Sequence, residues 1–180
     1  MNAVSGMLHC ITPISQLVTD PFGAEALNIR GHGLCPIPIK LHKKTPLVRY
    51  RSLKYPYSPQ TVKSLAPKHP SANIGIILDL CDPRLTVVDI DDPAFIQTMI
   101  TRCGHTPLQV STPSGGRHLY YRHNGEKQSI RLNGEPVDVK AGRGYVLIPP
   151  SHNGLAEYKF FRGSWAELSN LPAATPGVLP

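Results

Sequence analysis

The stretch Thr86-Val87-Val88-Asp89-Ile90-Asp91-Asp92-Pro93 constrains the fold more than any other. Its β-branched residues alternate with period two and end in Asp-Pro, the pattern of a buried strand. Residues two apart on a strand share a face, so Asp89 and Asp91 point together while Val88 and Ile90 point the other way. Carboxylates a few ångströms apart repel each other, and a cation between them relieves the repulsion. Helix initiation accounts for Asp92, an N-cap followed by Pro93 and the run Ala94 to Ile100. It leaves Asp89 unexplained, because a charge inside an apolar run is costly unless something compensates it. A divalent-metal site is the reading that compensates it.

The flanking chain reads as alternating short elements. A helix is expected over much of 14–30, stopped at Gly31, after an unpatterned segment 1–13. Residues 34–40 form an edge strand, because Pro36 and Pro38 cannot donate to a central ladder. After a basic loop, 41–57, Ser58-Pro59 opens a short helix to about 66. Residues 73–78 form a strand, and Cys81-Asp82-Pro83-Arg84 turns it into the acidic one. A helix over 93–102 ends near Gly104. Two strands flank a Ser/Gly turn within 109–122, and further strands lie at 136–140, 145–148 and 158–161. Residues 166–180 read as a proline-containing tail or linker. Strands outnumber helices and several connections are hairpin-like, which indicates an α+β fold with a mixed or antiparallel sheet. The expected organisation is one domain over 1–165, in sub-modules of roughly 14–85 and 86–165.

Charge is placed unevenly. Of the net +7, residues 1–85 hold ten Lys/Arg against four Asp/Glu, whereas 86–180 hold nine against eight. Residues 40–68 carry Lys40, Lys43, Lys44, Arg49, Arg51, Lys54, Lys63 and Lys68 with no acid, interleaved with Tyr50, Tyr55 and Tyr57. A basic run with aromatics suits a polyanion whose bases stack; a solvated face kept for solubility is the alternative. Cys10, Cys35, Cys81 and Cys103 are scattered without a CxxC pair, which points to a reduced, cytoplasmic protein and away from a zinc site. No run approaches the ~18 apolar residues of a membrane span, and the N-terminus lacks a signal-peptide pattern.

The turn Ser111-Thr112-Pro113-Ser114-Gly115-Gly116-Arg117-His118 carries the second constellation. Adjacent glycines let backbone approach a ligand, and N–H groups exposed there suit phosphate oxygens, with Ser114, Arg117 and His118 beside them. A structural histidine on an ordinary hairpin is the alternative. Val137-Asp138-Val139-Lys140 then repeats the acid-between-valines theme; the exposed face of an edge strand is the alternative, because Lys140 shares the face of Asp138.

Four stretches together resemble the primase–polymerase (prim-pol) domain of the archaeo-eukaryotic primase superfamily. They are Val87-Val88-Asp89-Ile90-Asp91, Ser111 to His118, Val137-Asp138-Val139-Lys140, and Tyr145-Val146-Leu147-Ile148-Pro149-Pro150-Ser151. The first three are similar, in order, to the family's hydrophobic-Asp-x-Asp/Glu, small-x-His and hydrophobic-Asp motifs. Asn73-Ile74-Gly75-Ile76 and Lys44-Thr45-Pro46 add support, and the resemblance spans about 24–160. Leu78-Asp79-Leu80 departs from the glycine that relatives often carry there. The resemblance implies a small α/β module beside an RNA-recognition-like sheet, with the active site in the cleft between. It implies template-dependent nucleotidyl transfer from NTP or dNTP to a 3′-hydroxyl, including primer synthesis on single-stranded DNA. Asp89 and Asp138 would hold one Mg²⁺ or Mn²⁺, and Asp89 and Asp91 a second. Ser114, Gly115, Gly116, Arg117, His118, Lys140 and Arg143 would serve the nucleotide, and Lys43, Lys44, Arg49, Arg51 and Lys54 the template. A helicase domain or protein is an expected partner, and replication of a plasmid, phage or other mobile element an expected setting.

Three other readings compete. A nucleic-acid-binding domain of a replication initiator, catalytically weak, would have eroded acids, yet all three and the histidine are present. A rolling-circle nickase needs His-x-His, which the chain lacks. A phosphoesterase would use the same acids to release nucleotides.

Overall fold

The computed structural model describes residues 20–55 and 57–180. The start of the expected first helix, the segment 1–13 and Cys10 lie outside the described residues.

Helix α1 (Pro21–Gly31) starts on Pro21, ends at Gly31 as expected, and buries Phe22, Ala26 and Ile29. Strand β1 (Pro36–Ile39) is an edge strand, as its two prolines require, and pairs antiparallel with β2 (Asn73–Ile77). Helix α2 (Pro59–Leu65) is capped by Ser58, whose side chain accepts from the Gln60 N–H at 3.2 Å. The acidic strand is β3 (Leu85–Ile90), buried along its whole length. Asp92 accepts from the Ala94 N–H at 2.9 Å, and a 3-10 turn over Pro93–Phe95 leads into α3 (Ile96–Cys103). The remaining strands are β4 (Gln109–Ser111), β5 (Arg117–Arg122), β6 (Val137–Lys140), β7 (Tyr145–Leu147) and β8 (Lys159–Arg162).

The strands form two sheets, β1-β2-β7 and β6-β3-β5-β4-β8, in which every pairing is antiparallel. The α+β expectation holds, with the sheets antiparallel rather than mixed. Alternation along β3 and β5 splits the larger sheet between two cores. Leu85, Val87, Val110 and Tyr120 face α1, α2 and the smaller sheet. Val88, Ile90, Leu119, Tyr121, Val137 and Val139 face Met99 and Cys103 of α3.

The proline-containing segment 166–180 is packed rather than trailing. Trp165–Asn170 is a 3-10 stretch, Leu171 and Ala174 are buried, and Val178 and Leu179 pack against the α3 core. Backbone bonds from Arg122 N to Pro172 O (2.8 Å) and from Thr175 N to Cys103 O (2.9 Å) fix it there. Among the described residues, no helix is long and apolar enough to cross a membrane.

Candidate active site

Register places the site. Asp89 of β3 stands directly opposite His118 of β5 on one side and Asp138 of β6 on the other. Directly opposed residues of antiparallel strands share a face with Cβ atoms about 4.5–5.5 Å apart. The three motifs therefore meet in one row, although 29 and 49 residues separate them from Asp89 in the chain. Asp91 lies just past the end of β3, where its N–H still donates to Pro136 O at 3.0 Å.

Asp89 and His118 lie in the wall of a cleft between the two sheets, while Asp138, at the end of the row, is not among its lining residues. Its main lobe, about 480 Å³, is bounded by Asp89, His118 and Lys140 on one side and by β7 with Gly144 on the other. Lys44, Arg51 and Arg143 make it basic; Tyr50 and Tyr145, edge-to-face at 5.2 Å, give it an aromatic wall. A smaller lobe of about 190 Å³ holds Asp91, Thr112, Ser114 and Asn153 with Asp89 and His118. A third, about 280 Å³, runs past His42, Lys43 and His152. Lys44 and Tyr158 line all three.

Asp89 is 8% exposed and His118 3%. Burial alone would raise the Asp89 carboxyl, but the His118 hydrogen bond and the charges of His118, Lys140 and Lys44 outweigh it and hold it below the usual range. His118 Nε2 lies 3.2 Å from Asp89 Oδ1. On its far side, His118 Nδ1 is buried without a partner among the described residues, and so is the Tyr120 hydroxyl beside it. Burial, then the charges of Asp89 and Asp91, pushes the Tyr158 phenol up to about 12.

Asp138 is engaged on both oxygens. Oδ1 accepts from the Arg131 N–H at 2.9 Å and Oδ2 from Lys140 Nζ at 2.6 Å. Among the described residues, no three His, Cys, Asp or Glu side chains are grouped to hold a metal ion. The expected three-carboxylate cage is not preassembled; Asp89 and Asp138 are adjacent, and Asp91 opens into the neighbouring lobe.

Other expected site residues are placed differently from the sequence reading. Arg117 points to the opposite face of the sheet from His118, where its guanidinium stacks 3.3 Å over the Phe161 ring and donates to Gln109 at 3.2 Å. It does not line the cleft. Adjacent strand residues face opposite ways, so β5 carries Arg117 and His118 to opposite faces of the sheet. The glycine pair also serves turn geometry first. Gly115 has φ +88 and its N–H is spent on Thr112 O at 3.0 Å, while a Cβ on Gly116 would strike the Ile90 carbonyl. Ser114 does line the smaller lobe, bonded to Thr112 at 3.0 Å. Arg143 binds Asp79 at 3.2 Å and the Leu53 carbonyl at 2.8 Å, so the departing Leu78-Asp79-Leu80 segment is a 3-10 turn tied to the basic loop. Of the expected template residues, Lys43, Lys44 and Arg51 reach the lobes; Arg49 and Lys54 are exposed away from them.

The sequence reading named Tyr50 within the basic run but gave no role to Tyr145 or Tyr158, nor to the staple beneath them. Buried Asn73 donates to His152 O at 2.7 Å and accepts from His152 N at 3.0 Å. Ser151 Oγ accepts from Ile74 N at 2.8 Å and donates to Ile74 O at 3.1 Å. These bonds fasten the Asn-Ile-Gly strand to the Pro-Pro-Ser turn and deliver Asn153 and Tyr158 to the cleft. Tyr145 donates to Lys44 O at 2.6 Å, holding the basic loop over it.

Comparison with curated proteins finds none that matches the chain. The family model described as bifunctional DNA primase/polymerase, N-terminal, matches residues 26–174, and with the motif row already in place the chain belongs to that family, of DNA primase/polymerase type.

Proposed function

We propose that the cleft carries metal-assisted, template-dependent transfer of a nucleotide from NTP or dNTP to a 3′-hydroxyl, including primer synthesis on single-stranded DNA. The observation that carries this reading is the buried Asp89 in the wall of a basic, nucleotide-sized cleft, with Asp138 directly opposite it on the neighbouring strand.

The residues fit a hard divalent cation. The donors are carboxylate oxygens, Asp89 is held ionised, and the pair is short of a full protein cage. Mg²⁺ is ordinarily held by one or two carboxylates and completed by water and substrate phosphates. When bound, Mg²⁺ or Mn²⁺ would favour loss of the 3′-hydroxyl proton and neutralise charge developing on the phosphates. In the transfer, the 3′-oxygen forms a bond to the α-phosphorus, the α–β bridging bond breaks, and pyrophosphate leaves.

The chain's own part is binding and orientation. Asp89 and Asp138 fix the position of the 3′-end, and Asp91 faces the lobe that receives the triphosphate. Lys44 and Ser114 approach the phosphates, while His118 holds Asp89 in one rotamer with its Nδ1 turned away. Tyr50 and Tyr145 offer a wall for a base, and Arg51 extends the positive surface toward a template strand.

Labelled nucleotide incorporation on unprimed single-stranded DNA, run with Mg²⁺ and with Mn²⁺ and with NTPs against dNTPs, tests the proposal. Metal-dependent products longer than the supplied nucleotides support it. Strand binding without incorporation favours a binding domain, and release of nucleotides from the strand favours a phosphoesterase.

A further inference from the structure

Lys140 has a place that an ordinary surface ion pair does not require. Its ammonium is 2.6 Å from Asp138 Oδ2, and its charge is among those that hold Asp89 ionised. The other Asp138 oxygen is taken by the Arg131 N–H, presented from a left-handed backbone at φ +51. Lys140 also lines the main lobe of the cleft beside Arg143 and Lys44. The Lys140 ammonium thus pairs with Asp138 and borders the open cleft, and its charge reaches Asp89.

We propose that Lys140 is an internal counter-ion that occupies the cation position at Asp138 and transfers to the triphosphate when a divalent ion enters. The inference rests on the metal-dependent reading above and adds a competition to it. Without nucleotide, the ammonium and the divalent ion compete for Asp138, so metal binds weakly. With nucleotide present, the phosphates give the displaced ammonium a partner, and metal and nucleotide bind cooperatively. Lys140 is flexible enough for this exchange, with four rotatable methylenes and three donors on a compact charge. The same-face spacing of Asp138 and Lys140 on β6 makes the contact available without backbone movement.

The test is a Mn²⁺ titration of the full chain without nucleotide, followed by electron paramagnetic resonance of the free ion. Lys140→Met, which keeps the stem and removes the charge, is expected to bind Mn²⁺ about fivefold tighter than the unaltered protein, the factor equivalent to about 1 kcal/mol for a partly exposed pair. Lys140→Arg, which keeps the charge, should stay near the unaltered protein, and Asp138→Asn should bind more weakly. In incorporation assays, Lys140→Met should need less Mn²⁺ for half-maximal rate while its nucleotide KM rises. Equal or weaker Mn²⁺ binding by Lys140→Met overturns the inference, as does Lys140→Arg matching Lys140→Met. Binding lost in Asp138→Asn but unmoved in Lys140→Met overturns this inference alone; no Mn²⁺ binding by any form overturns it together with the metal-dependent reading.

Discussion

Replacing Asn73 with alanine should unfasten the cleft from beneath. Asn73 is 1% exposed and spends its amide on both backbone groups of His152, at 2.7 and 3.0 Å. Truncation leaves a buried N–H and a buried carbonyl without partners, each costing about 1–3 kcal/mol. Together the two groups would cost about 2–6 kcal/mol, and a total near 3 kcal/mol, in the lower half of that range, is expected if the backbone relaxes in part around the Ser151 bonds to Ile74 that persist. For a chain of this size that corresponds to a fall in Tm of about 6–12 °C. Thermal melts by circular dichroism read the stability, and nucleotide titration at a temperature where both proteins are folded reads the site. Affinity should fall as well, because Asn153 and Tyr158 ride on the same segment. A Tm within about 2 °C of the unaltered protein, a shift below 1 kcal/mol, would refute the staple.

Two further outcomes follow from where side chains point. Lys44→Ala should raise the nucleotide KM several-fold, whereas Arg117→Ala, on the far face against Phe161, should leave it near the unaltered value; steady-state incorporation kinetics compare them. Glu126 sits beneath β3, accepting from Thr86 Oγ1 at 2.9 Å and from the Asn124 N–H at 2.7 Å. Its burial would raise the carboxyl, but the backbone and Thr86 hydrogen bonds with the nearby His123 outweigh it, so the folded value is depressed. The stability it adds is complete above the ordinary glutamate range, near pH 4.3, and is lost as pH falls through the folded value. Glu126→Gln should therefore melt below the unaltered protein at pH 7, with the gap closing toward pH 3. A gap that is constant with pH would contradict the assignment.

The sequence exposed the site more fully than the scaffold that presents it. Asp89 stood out because a carboxylate inside a run of buried valines has no local explanation, and a period of two put Asp138 and Lys140 on one face. The order β6-β3-β5, which turns three separate motifs into one row, is a long-range pairing that no local pattern encodes. Arg117 is next to His118 in sequence, yet the same alternation that orients Asp89 turns it to the other face. Residues 166–180 look like a linker by composition. Ala174, Val178 and Leu179 nevertheless fill the groove beside α3, where small and apolar side chains pack without regular structure. Asn73 and His152 are 79 residues apart, and the Asn73 amide bonds only to the His152 backbone, which leaves no signature in the side chain at 152.

The central claim is that the Asp89–Asp138 row is the reaction centre. The most direct measurement is metal-dependent nucleotide incorporation by Asp89→Asn and Asp138→Asn beside Asp92→Asn, which alters a neighbouring acid that only caps the turn into α3. The account predicts that the first two lose at least about a hundredfold in rate while remaining folded, with Asp92→Asn within a few-fold of the unaltered protein. Undiminished incorporation by Asp89→Asn and Asp138→Asn would contradict it.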